Sequence, residues 1–540
     1  MRFLRYNYSM KTDKSMITIS KTEYDSFIRL KAENAELTQK VDWLMAQFKL
    51  AQHRRFGASS EKSEYDQMNL FNEAEATADT NVAEPELVEI EKHFRKRKRL
   101  INDRLPENLP IETVEHHLTE EEQICPECGE HMHVMGHETR RELVIIPAQV
   151  KIREHVSDVC ACRNCEKNAC GVPIVKAPVD EPVIKGSFAS PESVAHIMCQ
   201  KFVMGAPLYR QEQDWNRQGI MLSRQTMSNW MLRAAEDWLE PIYNALHEII
   251  LTQDILHADE TTLQVLHEPN KSAQSKSYMW LYRTSEYNRK GSKASPIVLY
   301  EYQPDRKAKH PAEFLKGFKG YVHADGYEAY HSLPNEVIIV GCWAHLRRKF
   351  AEALKTVSVN DRANCKAAVG KKYCDRLFEL ERKFAEMKPI ERFEKRLELS
   401  KPIIDDFYSW LGSFSALPKT PIGGAVTYAI GQRKYLGNYL LDGRLEISNN
   451  RAERSIKPFV IDRKNFLFSN TPRGAKASAI MFSIIETAKE NGLNPFAYLT
   501  HIFQNAPNWD IRNNVDMLDL LLPSHAPDFC RADIEQCRDN

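Results

Sequence analysis

Two C-x-x-C knuckles constrain this chain more tightly than any other feature. Cys125-Pro-Glu-Cys128 and Cys162-Arg-Asn-Cys165 are separated by residues 129–161. Each knuckle presents two thiolates from one tight turn, so the pair suits a single tetrahedral zinc ion. Residues 142–159 alternate in strand fashion, as in a zinc ribbon. Four thiolates close the coordination sphere and supply no general base, which points to a structural or DNA-docking role rather than a catalytic zinc. Cys160 and Cys170 crowd the second knuckle as competing ligands, and His131 and His133 are weaker ones. Cysteines clustered in this way fit a reducing compartment, where thiols hold metal instead of forming structural disulfides.

The rest of the chain reads as several domains. Its 540 residues allow roughly three or four, and 42% hydrophobic with 27% charged residues is normal for a soluble globular protein. Lys plus Arg and Asp plus Glu tie at 74 each, so bulk charge selects no partner. The longest clearly apolar run, 337–344, is far short of the ~18 residues a membrane span needs. Residues 1–16 are polar and basic, unlike a secretory signal. A cytoplasmic protein with no membrane partner is expected.

In the segment 20–57, Phe27, Asn34, Val41 and Phe48 occupy one heptad position and Leu30, Leu37, Leu44 and Ala51 the other. That seam of roughly three and a half heptads predicts a leucine-zipper-like coiled coil and self-association into a homo-oligomer. Asn34 is the polar residue that sets register in such a seam. Residues 58–105 read as a flexible linker, first acidic and then basic at Arg95-Lys96-Arg97-Lys98-Arg99. The zinc-binding domain is expected over 106–180.

Residues 190–248 read as helical, opening at Ser190-Pro191-Glu192 with a cap residue and a first-turn proline. A helix over 208–215, a break at Gly219 and a second short helix over 223–230 give a helix-turn-helix look. The second helix offers Arg224, Gln225 and Asn229 to DNA.

Strand-like and helical runs then alternate over 249–350, which predicts a mixed α/β sheet. Asp259 and Asp325 each follow a short apolar stretch with the shared wording His-Ala-Asp. On adjacent strands, two such carboxylates can hold a pair of divalent cations for in-line attack on phosphorus. Residues 351–445 read as a helical insertion. Over 446–503 the chain returns to the core with Glu453, early in a helix capped by Ser448 or Asn449. Around it lie Asn450 and the basic residues Arg454, Lys457, Arg463 and Lys464, suited to neutralising phosphate. Helical spacing alone pairs Glu453 with Lys457. Residues 504–540 read as a tail.

Taken in order, the wording resembles the DDE transposases of bacterial insertion-sequence family sixty-six. The matching segments include Arg55-Phe56-Gly57, both knuckles, Ala258-Asp259-Glu260-Thr261, His323-Ala324-Asp325-Gly326-Tyr327, Cys342-Trp343-Ala344-His345, Asn449-Asn450 with Ala452-Glu453-Arg454, and Gly492-Leu493-Asn494-Pro495. Many relatives read Asp-Asn-Asn where this chain has Ser448-Asn449-Asn450, so that Asp is not expected to be essential here. The resemblance implies an RNase H-like catalytic core with Asp259, Asp325 and Glu453 as the acidic triad and Mg²⁺ or Mn²⁺ as cofactor, beside Zn²⁺ on Cys125, Cys128, Cys162 and Cys165. His345, Arg348 and Lys349 would flank the site and hold the scissile phosphate. The implied activity is cleavage of DNA at element ends followed by strand transfer into target DNA, in the nucleoid of a bacterium and with two small accessory proteins. A metal-dependent nuclease that cuts without joining, and a zinc-ribbon DNA-binding regulator without chemistry, are the competing functions. Asp259→Asn is expected to abolish DNA remodelling in cells, scored by transposition frequency; a regulator would tolerate the change.

Overall fold

The computed structural model describes residues 150–161, 174–287, 295–357, 359–416 and 420–532, together with Thr22, Asp25, Ser26 and Arg29. The chain divides into two units after Val150, and the architecture that follows is that of Lys151–Asn540. Every residue of the coiled-coil seam, the 58–105 linker and Cys125, Cys128, Cys162, Cys165 and Cys170, with His131 and His133, lie outside the described residues.

Strands β1 (Val159–Ala161) and β2 (Ile174–Lys176) form a two-stranded antiparallel ribbon that brackets the second knuckle in sequence. Cys160 pairs with Val175 in this ribbon and is an exposed free thiol. The strand expected to run up to Val159 is absent over 151–158, where Ile152 and Val156 are exposed. Alternation makes a strand only where a second chain satisfies the backbone groups.

Helix α1 (Pro191–Phe202) begins where the cap residues place it. The Ser190 hydroxyl accepts the Ser193 N–H at 3.1 Å, and the Ser193 hydroxyl accepts the Ser190 N–H at 2.9 Å. Helices α2 (Leu208–Arg217) and α3 (Arg224–Ala234) are joined through Gly219, whose φ of +78° suits a residue without a Cβ. Met227, Trp230, Met231 and Ala234 bury one face of α3, and Arg224, Gln225 and Asn229 remain exposed. A single π-helical turn leads into α4 (Glu240–Leu251).

The central sheet has five strands: β3 (Ile255–Gln264), β4 (Lys276–Thr284), β5 (Val298–Gln303), β6 (Gly320–Ala324) and β7 (Val337–Gly341). Their order is β5-β4-β3-β6-β7. The first three are antiparallel, and β6 and β7 continue the sheet in parallel with β3. Short helices α5 (Lys309–Phe314) and α6 (Glu328–His331) flank β6 in sequence. After β7 come α7 (Trp343–Lys355), α8 (Lys366–Lys383), α9 (Pro389–Lys395), α10 (Lys401–Gly412), α11 (Pro421–Gly431) and α12 (Arg433–Gly437). These gather a second core around Trp343, Phe350 and Phe407. Arg396, 1% exposed, ties this region together: its guanidinium grips Glu381 at 2.6 and 2.8 Å and donates to the carbonyls of Tyr439, Asp442 and Leu445.

Four helices complete the unit: α13 (Asn450–Phe466), α14 (Pro472–Glu490), α15 (Pro495–Asn505) and the short α16 (Val515–Asp519). Helix α14 covers the outer edge of β5 in a specific way. The hydroxyls of Ser483 and Thr487 accept the N–H groups of Tyr300 and Val298 at 2.7 and 3.0 Å, so the edge strand has no open donors there. Beyond α15 the chain packs back rather than trailing off. Leu521, Leu522 and Cys530 are buried, and Tyr498 donates to the Leu521 carbonyl at 2.6 Å. Phe482 of α14 sits where these layers meet, its ring 5.0 Å from Phe202 and 5.4 Å from Phe459. Phe482→Ala is expected to destabilise the unit by about 3–5 kcal/mol in denaturant titrations followed by tryptophan fluorescence.

Candidate active site

Asp259 and Asp325 stand at matching positions of adjacent parallel strands. Ile255, Leu256 and His257 of β3 pair with Tyr321, Val322 and His323 of β6. Both strands then read Ala-Asp, which carries Asp259, still within β3, alongside Asp325, just past the end of β6. The two-residue period of a strand sets each aspartate on the same face as its histidine. Those histidines, both fully buried, stack with centroids 4.3 Å apart and planes 11° from parallel. Asp259 Oδ1 accepts the Glu260 N–H and Asp325 Oδ1 the Tyr327 N–H, each at 2.9 Å.

The third acid comes from another element. Glu453 lies in the first turn of α13, and its neighbours belong to α7: Arg348 Nη2 pairs with Oε2 at 3.2 Å, and His345 Nδ1 faces Oε1 at 3.7 Å. Burial pushes Asp259 well above the usual carboxylate range, and the charges of Glu260, Asp325 and Glu453 push the same way. Glu260 is raised too, by burial and by Asp325, although Arg306 pairs with it and the Tyr330 hydroxyl donates to it at 2.5 Å. A divalent cation relieves such repulsion, and an all-carboxylate donor set fits Mg²⁺ or Mn²⁺.

Asn449 holds this arrangement in place. It is 1% exposed and its side chain does not cap α13 as expected. Its amide reaches across to β3, where Nδ2 donates to the Ala258 carbonyl at 2.7 Å and Oδ1 accepts from His257 Nδ1 at 3.0 Å. Its backbone N–H donates to Cys342 Sγ at 3.2 Å. The helix carrying Glu453 is thereby bolted to the strand carrying Asp259 and to the start of α7. Beneath lies Glu446, 3.4 Å from His257 Nε2 and 2.6 Å from Arg451 Nε. Burial favours its neutral form, but His257 and Arg451 outweigh this and hold the carboxyl well below its ordinary value. Burial lowers His345, with Glu453 opposing, and raises the Cys342 thiol to about 11.

The other candidate residues separate into two groups. Arg348, Arg454, Lys457 and Lys464 are exposed, Lys349 lies over the Tyr428 ring at 4.8 Å, and Asn450 is half-buried at the start of α13. Arg463, by contrast, turns inward and donates to Thr261 Oγ1 and Thr262 Oγ1 of β3 at 3.1 Å, fastening helix to strand. Its guanidinium is occupied within the fold rather than held out towards a phosphate. Sequence reasoning overlooked Glu260, Glu446, His257, His323 and Asn449 as parts of the site. The repeated His-Ala-Asp wording was a signal for the histidines, and nothing local marks Glu446.

Comparison with known proteins fits this geometry. The family described as "Transposase IS66 family" matches residues 186–477, which span the sheet, all three acids and α13. The chain belongs to the IS66 family of transposases. Three further family descriptions match in order: "Transposase C of IS166 homeodomain" over 43–114, "zinc-finger binding domain of transposase IS66" over 122–166, and "IS66 C-terminal element" over 483–524. This transposase therefore carries a zinc-finger domain that contains all four knuckle cysteines, and a leucine-zipper-like domain that takes in the whole of the segment read as a linker and only the last part of the heptad seam. Similar proteins from Sinorhizobium fredii include "Uncharacterized protein y4jD", 29% identical over 78% of this chain and 81% of its own length. "Uncharacterized protein y4qI" is 29% identical over 89% of this chain and 90% of its own length. Among the described residues no helix is long and apolar enough to cross a membrane.

Two outcomes follow from the site. Asn449→Ala is expected to lower transposition about 10–100-fold, the usual cost of removing a group that orients a metal site, with a thermal melt showing the fold retained. Glu446, held below the ordinary glutamate value of 4.5, contributes stability that is complete above about that pH and fades as acid approaches its folded value. Glu446→Gln is expected to flatten the acid limb of the stability–pH curve measured by circular dichroism.

Proposed function

We propose that this IS66 transposase cleaves DNA at the ends of its element and joins the freed 3′ ends to target DNA by metal-dependent phosphoryl transfer, with Asp259, Asp325 and Glu453 as the acidic triad. The observation that carries the reading is the β3–β6 register, which aligns Asp259 with Asp325 while Asn449 ties the Glu453 helix to the same strand. Three antiparallel strands extended by two parallel ones, with acids on the central strand and its parallel neighbour, support an RNase H-like core.

Asp259 and Asp325 would hold the cation pair, and Glu453 would complete the set. Mg²⁺ or Mn²⁺ bound there would supply the electrostatic activation of a water or 3′-OH and the stabilisation of the leaving oxygen. His345, Arg348 and Lys349 flank the site and hold the scissile phosphate, and Asn450, Arg454, Lys457 and Lys464 contact the DNA around it. Arg224, Gln225 and Asn229 on the exposed face of α3 contact DNA, and the zinc domain, with Cys125, Cys128, Cys162 and Cys165 as ligands, helps dock the element ends. Self-association through the N-terminal heptads would bring two ends together, with small accessory proteins assisting, in the bacterial nucleoid.

The test uses purified full-length protein, DNA carrying the element's ends and a second target DNA, with Mg²⁺, Mn²⁺ or EDTA. Metal-dependent cleavage and joining are expected for the wild type, and Glu453→Gln is expected to lose both. Cleavage with no joining would instead mark a nuclease.

A further inference from the structure

Beside the triad, three side chains of different chemistry converge from two helices. Cys342 immediately precedes α7, His345 lies in its first turn, and Glu453 lies in the first turn of α13. Their ligand atoms, one sulfur, one nitrogen and one oxygen, all lie within 4.8 Å of one another. Cys342, in extended backbone just before α7, and His345 in its first turn are three residues apart and bring their ligand atoms to one place, much as a zinc knuckle presents its two ligands. His345 Nδ1 and Glu453 Oε1 face each other at 3.7 Å, and both are buried atoms with no hydrogen-bond partner. Cys342 Sγ, 1% exposed, accepts the Asn449 N–H at 3.2 Å, a donor that favours a metal-bound thiolate.

We propose that Cys342, His345 and Glu453 form a second metal site that takes Zn²⁺ and shares Glu453 with the all-carboxylate site of the Mg²⁺ pair. The donor chemistry makes the selection: thiolate and imidazole favour zinc, whereas Mg²⁺ requires oxygen ligands. Binding releases the thiol proton to solvent as the Zn–S bond forms. Three protein ligands leave one tetrahedral position open. The oxygen ligand is the triad's own third acid, so zinc at this site withdraws Glu453 from the Mg²⁺ pair and restrains the transposase. This consequence rests on the catalytic reading of Glu453; the metal site itself does not.

The experiment measures zinc bound to full-length protein after equilibration with zinc and gel filtration. The wild type is expected to hold about one equivalent more than either Cys342→Ser or His345→Ala, with all three keeping the zinc-finger metal. Co²⁺ loading gives a second readout, in which the thiolate-to-cobalt absorption of the wild type exceeds that of Cys342→Ser. Equal zinc content and superimposable cobalt spectra in well-folded variants would overturn the site. Excess zinc is also expected to slow Mg²⁺-dependent joining by the wild type and to slow Cys342→Ser much less, each relative to its own zinc-free rate. Equal slowing would overturn the restraint. If the extra zinc is present while Glu453→Gln still joins DNA, the catalytic reading fails and the zinc site stands.

Discussion

The parallel pairing of β3 with β6 is the contact on which the candidate site depends. A slip of one residue would carry Asp325 to the opposite face of the sheet from Asp259, because strand side chains alternate. The register is held from beneath by the stacked rings of His257 and His323 and at the start of the sheet by Asp254, whose carbonyl accepts the Tyr321 N–H at 2.8 Å. Asp254 is itself pinned by Arg444 at 2.7 Å. Packing, not the aspartates' own chemistry, brings the two carboxylates together. The aspartates then bear the electrostatic cost of proximity, which is visible in the raised Asp259.

Charge is arranged in two layers at this end of the sheet. Below, Glu446 is surrounded by His257 and Arg451, and Arg451 reaches a second acid, Glu286, at 3.2 Å. Above, Asp259, Glu260, Asp325 and Glu453 gather with cationic partners only for Glu260 and Glu453 among the ion pairs of the described residues. The lower layer is balanced by the protein and rigidifies the floor. The upper layer carries excess negative charge, the condition under which a carboxylate cluster takes up divalent cations. An overall charge of zero conceals this organisation, because it sums over the whole chain.

Local chemistry was readable along much of the chain. Ser190 with its first-turn proline started α1 as its residue types demand, and the glycine break at Gly219 separated α2 from α3. The apolar runs before Asp259, Asp325 and Gly341 became strands. The failures share one cause. Asn449 has the composition of a cap, yet its amide bonds across 192 residues to His257. Arg463 looks like a phosphate ligand but satisfies Thr261 and Thr262 of β3. Glu453 has Lys457 one turn away and instead meets two residues of α7. Where a distant partner offers burial and a better hydrogen bond, the near one loses.

From its residues alone this chain determined most of the helices and strands of its core, the two C-x-x-C knuckles and the ordered wording that marks an IS66 transposase. All of these depend on spacing along a few turns or strands, and short-range sterics and hydrogen bonding set such spacing directly. Only the tertiary structure decided that α7 and α13 begin side by side, that Asn449 bridges them to β3, and that Cys342 and His345 face Glu453. Those contacts join segments roughly a hundred residues or more apart. Their geometry follows from how the sheet and the helical cores bury apolar surface together, which no local stretch of sequence encodes.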